Sequence, residues 1–486
     1  MISRGFFKSS LIYSIVGALP YASGFLLLPW FTALLTPKQF GINALYISLM
    51  YLIQILSSFG QDMAVSVQYF DHKDDRQRLR SYLGTVFAGI GFTGLITFLM
   101  FTFGGISLFN ITFGSGDFIQ LIPFGLFTIL SGILNGSFKT YSTLLIAQQR
   151  PVRFFWLNIS NFAFTIGASL TLIYMFPYTL FGPVLGRLIP AIMSASLSLF
   201  LLTREYGLHW NTAYIRKIVS YSTPLLVYAL LTWMVNYIDR FIILRVMADP
   251  ALVGIYDFAV KLVIGIELIM TGLINTINPK IYNIWKDQDL HESTIEVNRY
   301  YNGITALVLL VIPLFVILAP LLLPLVIKKV IYYEAFSFLA ILAAGYATRP
   351  WFFMFLAPLM YFKNTKALPR VFLISAIFQV GAGLVLIHFF GLMGAVWTNF
   401  LVKPLQALLM FLASRKVFRF RVNQWKIFWL PVIFIALVLI SESFATRETR
   451  MTIQAGQFLV TLILVLTVYR KEIAPVMKKL AVRFRR

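Results

Sequence analysis

The stretch NYIDRFIILRVMADPALVGIYDFAVKLVIGIELIM, residues 236–270, decides what medium this chain folds in. Two apolar runs flank a break at Asp249-Pro250, and each extends on its outer side toward the roughly 20 residues that cross a bilayer. The stretch nevertheless carries Asp239, Arg240, Arg245, Asp257, Lys261 and Glu267. A charge at the centre of a spanning helix costs roughly 3 kcal/mol on insertion scales, so such residues must face protein or water and have partners. Asp239 and Arg240 are about 100° apart on a helix, which predicts that each finds its partner on another helix. Asp257 and Lys261 are spaced for a local i,i+4 salt bridge. Glu267 falls on a different face from Lys261 and has no partner on its own helix. Arg245 is close enough to a helix end to reach the interface.

The rest of the chain fits a membrane reading. Of 486 residues, 59% are hydrophobic and 12% charged, with a mean hydropathy of +0.82; a soluble domain is about one quarter charged. The 47 Phe, 23 Tyr and 9 Trp suit lipid-facing surfaces and interfacial belts. No Cys is present, which excludes disulfides, thiol catalysis and Cys-ligated metals. His72, His209, His291 and His388 have no metal-ligand spacing, and no metal or cofactor is expected. There is no P-loop and no catalytic constellation, so neither an enzyme nor an ATP-driven pump is expected. GIGFTG (Gly89, Gly91, Gly94) matches a dinucleotide fingerprint in form only, since it lies inside an apolar run with no strand before it. Close helix packing is the better reading.

Fourteen apolar segments are predicted to span: 9–35, 41–66, 81–103, 118–147, 154–175, 180–202, 218–245, 250–276, 300–326, 335–362, 371–389, 391–413, 427–441 and 452–469. The first is too long for a signal-peptide core and is read as an attached helix. An even count sorts the loops into two sets, one with 29 Lys and Arg and the other with 5. By the positive-inside rule both termini are cytoplasmic. The net charge of +23 therefore reflects basic inner loops rather than nucleic-acid binding. The basic tail from Arg470 is expected to lie along anionic membrane lipids. Asp62 is expected at an inner boundary in contact with water, and 280–299 is expected as an inner loop.

Duplication is visible in two places. LLTPKQFGINAL follows the first span and VMADPALVGIYDFA the seventh, so that Pro37, Gly41 and Ile42 match Pro250, Gly254 and Ile255 at a constant offset. Each reads as a Pro-started turn and then a Gly that lets the next helix begin in close approach. LFGPVLGRLIP (180–190) and FFGLMGAVWTN (389–399) echo at the end of each half. The expected fold is an all-α polytopic membrane protein of about 14 transmembrane helices. Two six-helix bundles related by the repeat, 1–205 and 206–414, are followed by two C-terminal helices and a basic tail, 415–486.

The pattern P-x-x-x-G-I, then D-R-F-x-x-L (Asp239, Arg240, Phe241, Leu244) and G-x-Y-x-x-A-x-x-L (Gly254, Tyr256, Ala259, Leu262), resembles the Wzx-type flippases of lipid-linked oligosaccharides. These share a superfamily with MATE antiporters and the lipid II flippase MurJ. The resemblance implies a MATE-like fold, alternating access and an undecaprenyl-diphosphate-linked oligosaccharide as cargo. Gln68 stands where many relatives carry Arg, so that role is not carried over.

Lys139, Arg187, Arg349 and Lys403 come from four helices, and none has an acid within four residues. With Arg240 and Lys261 they are the expected substrate-binding cations, suited to a diphosphate and acidic sugars. Asp239, Asp257 and Glu267 are the candidates for coupling to H+ or Na+. Expected partners are the isoprenyl-diphosphate-linked oligosaccharide, anionic lipids and other polysaccharide-assembly proteins, in the bacterial inner membrane. A lipid II flippase of the MurJ type is the first alternative. A MATE-type multidrug antiporter would want an acidic interior, whereas seven bases face four acids in these spans. A membrane polymerase or ligase would usually carry a large outer loop, and no outer loop here is much longer than a dozen residues.

Overall fold

The structure is a computed structural model that describes residues 12–13, 16–17, 19–104, 107, 119–207, 209–287, 290–418, 420–446, 448–470 and 472. Among the described residues there is no strand, and the helices divide into two compact units, 1–257 and 258–486. Twelve helical segments among them are long and apolar enough to cross a membrane. The first and eighth predicted spans are not among those twelve. The first is described in part, as two short helices, and the eighth is a single 38-residue helix. The expected tail along the membrane surface lies almost wholly outside the described residues.

The first unit holds α1 (Leu19–Leu26), α2 (Leu28–Leu34), α3 (Pro37–Ser58), α4 (Gln61–His72), α5 (Arg76–Phe103), α6 (Leu126–Ala147), α7 (Pro151–Met175), α8 (Phe181–Tyr206), α9 (Thr212–Met247) and the start of α10 (Pro250–Asp287). Local chemistry sets the ends. Thr36 and Gln39 form a capping box with Pro37 in the first turn of α3, so two orphan amides are satisfied reciprocally. Asp75 accepts from the amides of Gln77 and Arg78, and Asn211 from that of Ala213, which starts α5 and α9 in the same way. Phe59 and Gly60 both take left-handed backbone, so the second predicted span is two helices rather than one. Gly60 is required there on a second count, because a Cβ would lie 2.8 Å from the Ser222 carbonyl of α9.

The two Pro/Gly turns face each other. A Cβ on Gly41 would sit 1.8 Å from the carbonyl oxygen of Pro250, and one on Gly254 would sit 2.6 Å from that of Pro37. Each glycine thus admits the first turn of the other's helix, a reciprocal contact that turns the sequence echo into packing. The GIGFTG glycines behave differently from expectation. Gly94 packs on Ile133 of α6, but a Cβ on Gly89 or Gly91 would meet nothing within 4 Å. Only every third or fourth position of a helix faces a given neighbour, so the motif cannot pack as a whole.

The second unit holds the rest of α10, then α11 (Leu290–Val326), α12 (Phe336–Ala344), α13 (Arg349–Tyr361), α14 (Ala367–Phe390), α15 (Leu392–Ser414), α16 (Leu430–Ser443) and α17 (Arg450–Val468). The predicted span 335–362 is divided into α12 and α13 by a 3-10 turn at Gly345–Thr348. Much of the expected inner loop 280–299 is helical, because α10 continues to Asp287 and α11 begins at Leu290. Polar sequence ends an apolar run without ending a helix. The short segment 427–441 is a real helix, α16, entered through a π-turn at Trp425–Trp429. Lys426 pairs with Glu472 at 2.7 Å, and Asn302 of α11 donates to the same carboxylate at 3.1 Å, tying the last helices to α11.

The division between the compact units falls within the α10 sequence, after Asp257, and not at the expected boundary of 205/206. Helix α9 packs on α3, α4 and α5 of the first unit. Trp233 Nε1 donates to the Ser48 carbonyl at 2.8 Å and Gln61 Nε2 to Ser222 Oγ at 2.5 Å.

Candidate functional site

In the first unit the charges of the opening stretch close on themselves. Arg240 Nε donates to Asp257 Oδ1 at 3.0 Å, and Nη1 donates to Asp239 Oδ1 and to the Asn236 carbonyl, both at 2.7 Å. Tyr256 Oη donates to the other oxygen of Asp239 at 2.5 Å. All three charged residues are at most 4% exposed. As expected, α10 supplies a partner to each member of the Asp-Arg pair. The expectation that the two do not bond each other is corrected. The Arg240 side chain is long enough to fold back over its preceding turn, and the short Asp239 side chain curls onto the Arg240 amide, 2.9 Å away, where they meet. One planar fork thus holds two carboxylates in a buried site.

Two further bases of the first unit have different surroundings. Lys139 Nζ lies 2.8 Å from Asp62 Oδ2; the lysine side chain is 50% exposed and the aspartate 8%. Asp62 is accordingly a buried ion-pair partner rather than a boundary residue in water. Arg187 Nη1 donates to Asn43 Oδ1 at 3.1 Å and to the Pro183 carbonyl at 2.6 Å, with its guanidinium carbon 5.9 Å from the Phe31 ring. Arg245 is exposed near the end of α9, consistent with an interfacial anchor.

In the second unit Glu267 has a partner after all. Arg349 reaches it with both Nε and Nη2 at 3.0 Å and donates to Gln406 Oε1 through Nη1 at 3.1 Å. This bidentate pair joins α10 to α13, and Gln406 extends it to α15. Lys403 is 7% exposed; its ammonium donates to the Asn399 carbonyl at 3.0 Å and to the Asn399 side chain, and lies 4.7 Å from the centre of the Tyr346 ring. Lys261 is half-buried one turn beyond Asp257 on α10.

Two of the four bases that have no acid nearby in sequence, Lys139 and Arg349, thus have acidic partners in the fold. Spacing along the chain sees only partners on the same helix, whereas Asp62 and Glu267 reach Lys139 and Arg349 from neighbouring helices. Sequence reasoning also passed over Asn43, Asn399 and Gln406. Each is a neutral amide within an apolar run, and that was the available signal. Asn158 is a similar case: its amide donates to Ser142 Oγ at 2.9 Å, joining α7 to α6 inside the span.

These features define a class: an all-helical multi-pass membrane protein with a fold like those of MATE transporters and MurJ. The inward-closed lipid II flippase MurJ matches with a TM-score of 0.73 at 14% identity, over 95% of this chain and 99% of that one. An inward-facing MATE-family multidrug transporter of the MOP superfamily matches with a TM-score of 0.66 at 14% identity, over 84% and 94%. A MOP-superfamily transporter from Pyrococcus furiosus, described as having a binding pocket of reversed polarity, matches with a TM-score of 0.59 at 13% identity, over 84% and 95%. No curated protein is significantly similar in sequence. Residues 6–285 match the model of the polysaccharide biosynthesis protein family. The chain belongs to that family.

Proposed function

We propose that the protein is a flippase that carries isoprenyl-diphosphate-linked oligosaccharide repeat units across the bacterial inner membrane for polysaccharide assembly, with both termini in the cytoplasm. The observation that carries this reading is the sign of the charge in the spans. In a polysaccharide biosynthesis family member, seven bases against four acids suit an anionic cargo. An exporter of cationic drugs would need the reverse. The halves 1–205 and 206–414 would be the moving bundles, and the lipid tail would stay in the bilayer while the head group crosses.

Arg240 gives the proposal a mechanism. Its fork is occupied by Asp239 and Asp257, so a diphosphate must compete with a carboxylate for it. Protonation of, or cation binding at, Asp257 would release one arm of the guanidinium to a phosphate oxygen and so link the gradient to cargo binding. Glu267 stands in the same relation to Arg349. Lys139, Arg187, Lys261 and Lys403 would supply further positive charge along the route. The test is transport of lipid-linked oligosaccharide in liposomes containing the purified protein, with and without an imposed H+ or Na+ gradient. Movement of the lipid-linked sugar that depends on the protein is expected. A protein that moves cationic drugs and leaves the lipid-linked sugar in place would refute the reading.

A further inference from the structure

The Arg187 region has a feature that the ionic clusters lack. Between α3, α6 and α8 of the first unit lies a small cleft lined by Asn43, Tyr46, Met50, Thr128, Ser131 and Arg187, among others. Its volume of about 10 Å³ is room for roughly one water-sized sphere. Asn43 and Arg187 each stand six residues inside the start of their helices, roughly 9 Å along the axis. Asn43 is fully buried.

The donors at this cleft are unspent. A guanidinium only donates hydrogen bonds, so the Asn43 oxygen must be the atom that faces Arg187, and this fixes which way the amide points. Both N–H bonds of Asn43 Nδ2 are then left over, and that buried nitrogen has no hydrogen-bond partner among the described residues. Arg187 makes no ion pair among the described residues; its hydrogen-bond acceptors are the neutral oxygens of Asn43 and Pro183. The carboxylate whose field reaches it, Asp257, is already bound by Arg240. Other hydroxyls at the cleft do not compete as donors: Tyr46 donates to the Gln120 carbonyl, Thr128 to that of Phe124 and Ser131 to that of Phe127. The half-buried Arg187 guanidinium has no ion-pair partner among the described residues, and the unpaired buried amide of Asn43 needs an acceptor. One small anion would satisfy both.

We propose that Arg187 and Asn43 form an anion subsite in the first unit, taking one singly charged atom: a halide ion or a terminal oxygen of a phosphate. The phosphate source rests on the flippase reading; the halide source does not. Asn43→Asp is the discriminating variant, since it keeps the shape and supplies the counter-charge from the protein itself.

The experiment titrates the purified full chain in detergent with bromide, inorganic phosphate or an isoprenyl diphosphate lipid, against gluconate, and follows the melting temperature. Wild type should be stabilised by at least one of these anions. Asn43→Asp and Arg187→Gln should weaken that anion's effect about tenfold or more, the loss expected when a charge-assisted hydrogen bond is removed. Asn43→Asp in gluconate should also melt at or above wild type. Bromide scattering located at the cleft in crystals would assign the halide. A response confined to the diphosphate lipid, and lost in both variants, would assign the head group. If wild type binds bromide there but no lipid, the subsite stands and the flippase reading does not. Equal responses of wild type and both variants to all three anions, or no response in wild type, would overturn the subsite and leave a water in the cleft.

Discussion

Replacing Gly41 by alanine should force apart the starts of α3 and α10. The added methyl carbon would lie 1.8 Å from the Pro250 carbonyl oxygen, about 1.6 Å short of the 3.4 Å at which ordinary contact begins. The obstacle is backbone, so no rotamer change relieves it, and the first turn of α10 must shift bodily. Overpacking in a tight interior typically costs roughly 1–3 kcal/mol, and here the upper end, about 3 kcal/mol, is expected. Gly254→Ala meets the Pro37 carbonyl at the milder distance of 2.6 Å and should cost about 1–2 kcal/mol. Since one displacement accommodates both methyl groups, the double variant should lose less than the sum. Gly91→Ala is the control, with nothing within 4 Å of its added carbon; it should be neutral or gain about 0.5–1 kcal/mol from helix propensity. Unfolding of the four purified variants in detergent, alongside wild type, measures all of this. Wild-type stability of Gly41→Ala, or equal damage from Gly91→Ala, would refute the reciprocal packing.

The other outcomes follow from how each ion pair is buried. Arg240→Lys should lose about 2–3 kcal/mol of stability, because an ammonium cannot hold Asp239, Asp257 and the Asn236 carbonyl at the angles the fork does; a variant as stable as wild type would mean the fork is not the lock. Lys139→Met should destabilise by about 3 kcal/mol by stranding the buried Asp62. Asp62→Asn should cost about 1 kcal/mol or less, since the half-exposed lysine can turn to water; denaturation midpoints that reverse this order would contradict the burial argument. Changing Glu267 and Arg349 together to methionine should restore stability that either change alone loses, while transport stays low if the pair handles ions or cargo. Full transport by the double variant would reduce the pair to a structural lock.

The one-dimensional record was sufficient for everything that depends on the solvent. Runs of about 20 apolar residues, loops of two charge densities and the costly charges of 236–270 required an all-helical membrane protein, because only internally bonded backbone crosses a bilayer. It was also sufficient for a close approach at each of the two turns, since Pro37/Gly41 and Pro250/Gly254 repeat at one offset, but that the two turns face each other came only from the folded chain. It could not tell who pairs with whom. Asp62 reaches Lys139, Glu267 reaches Arg349, and Asp257 shares Arg240 with Asp239, across separations that carry no periodic signal. Helix breaks at Phe59-Gly60 and Gly345–Thr348 were hidden for the same reason, because hydropathy continues through them. Partner choice is fixed by which helix faces pack together. That is a property of the folded chain, so only the tertiary structure decided which charges are locked and which, like Arg187, are left with neutral acceptors.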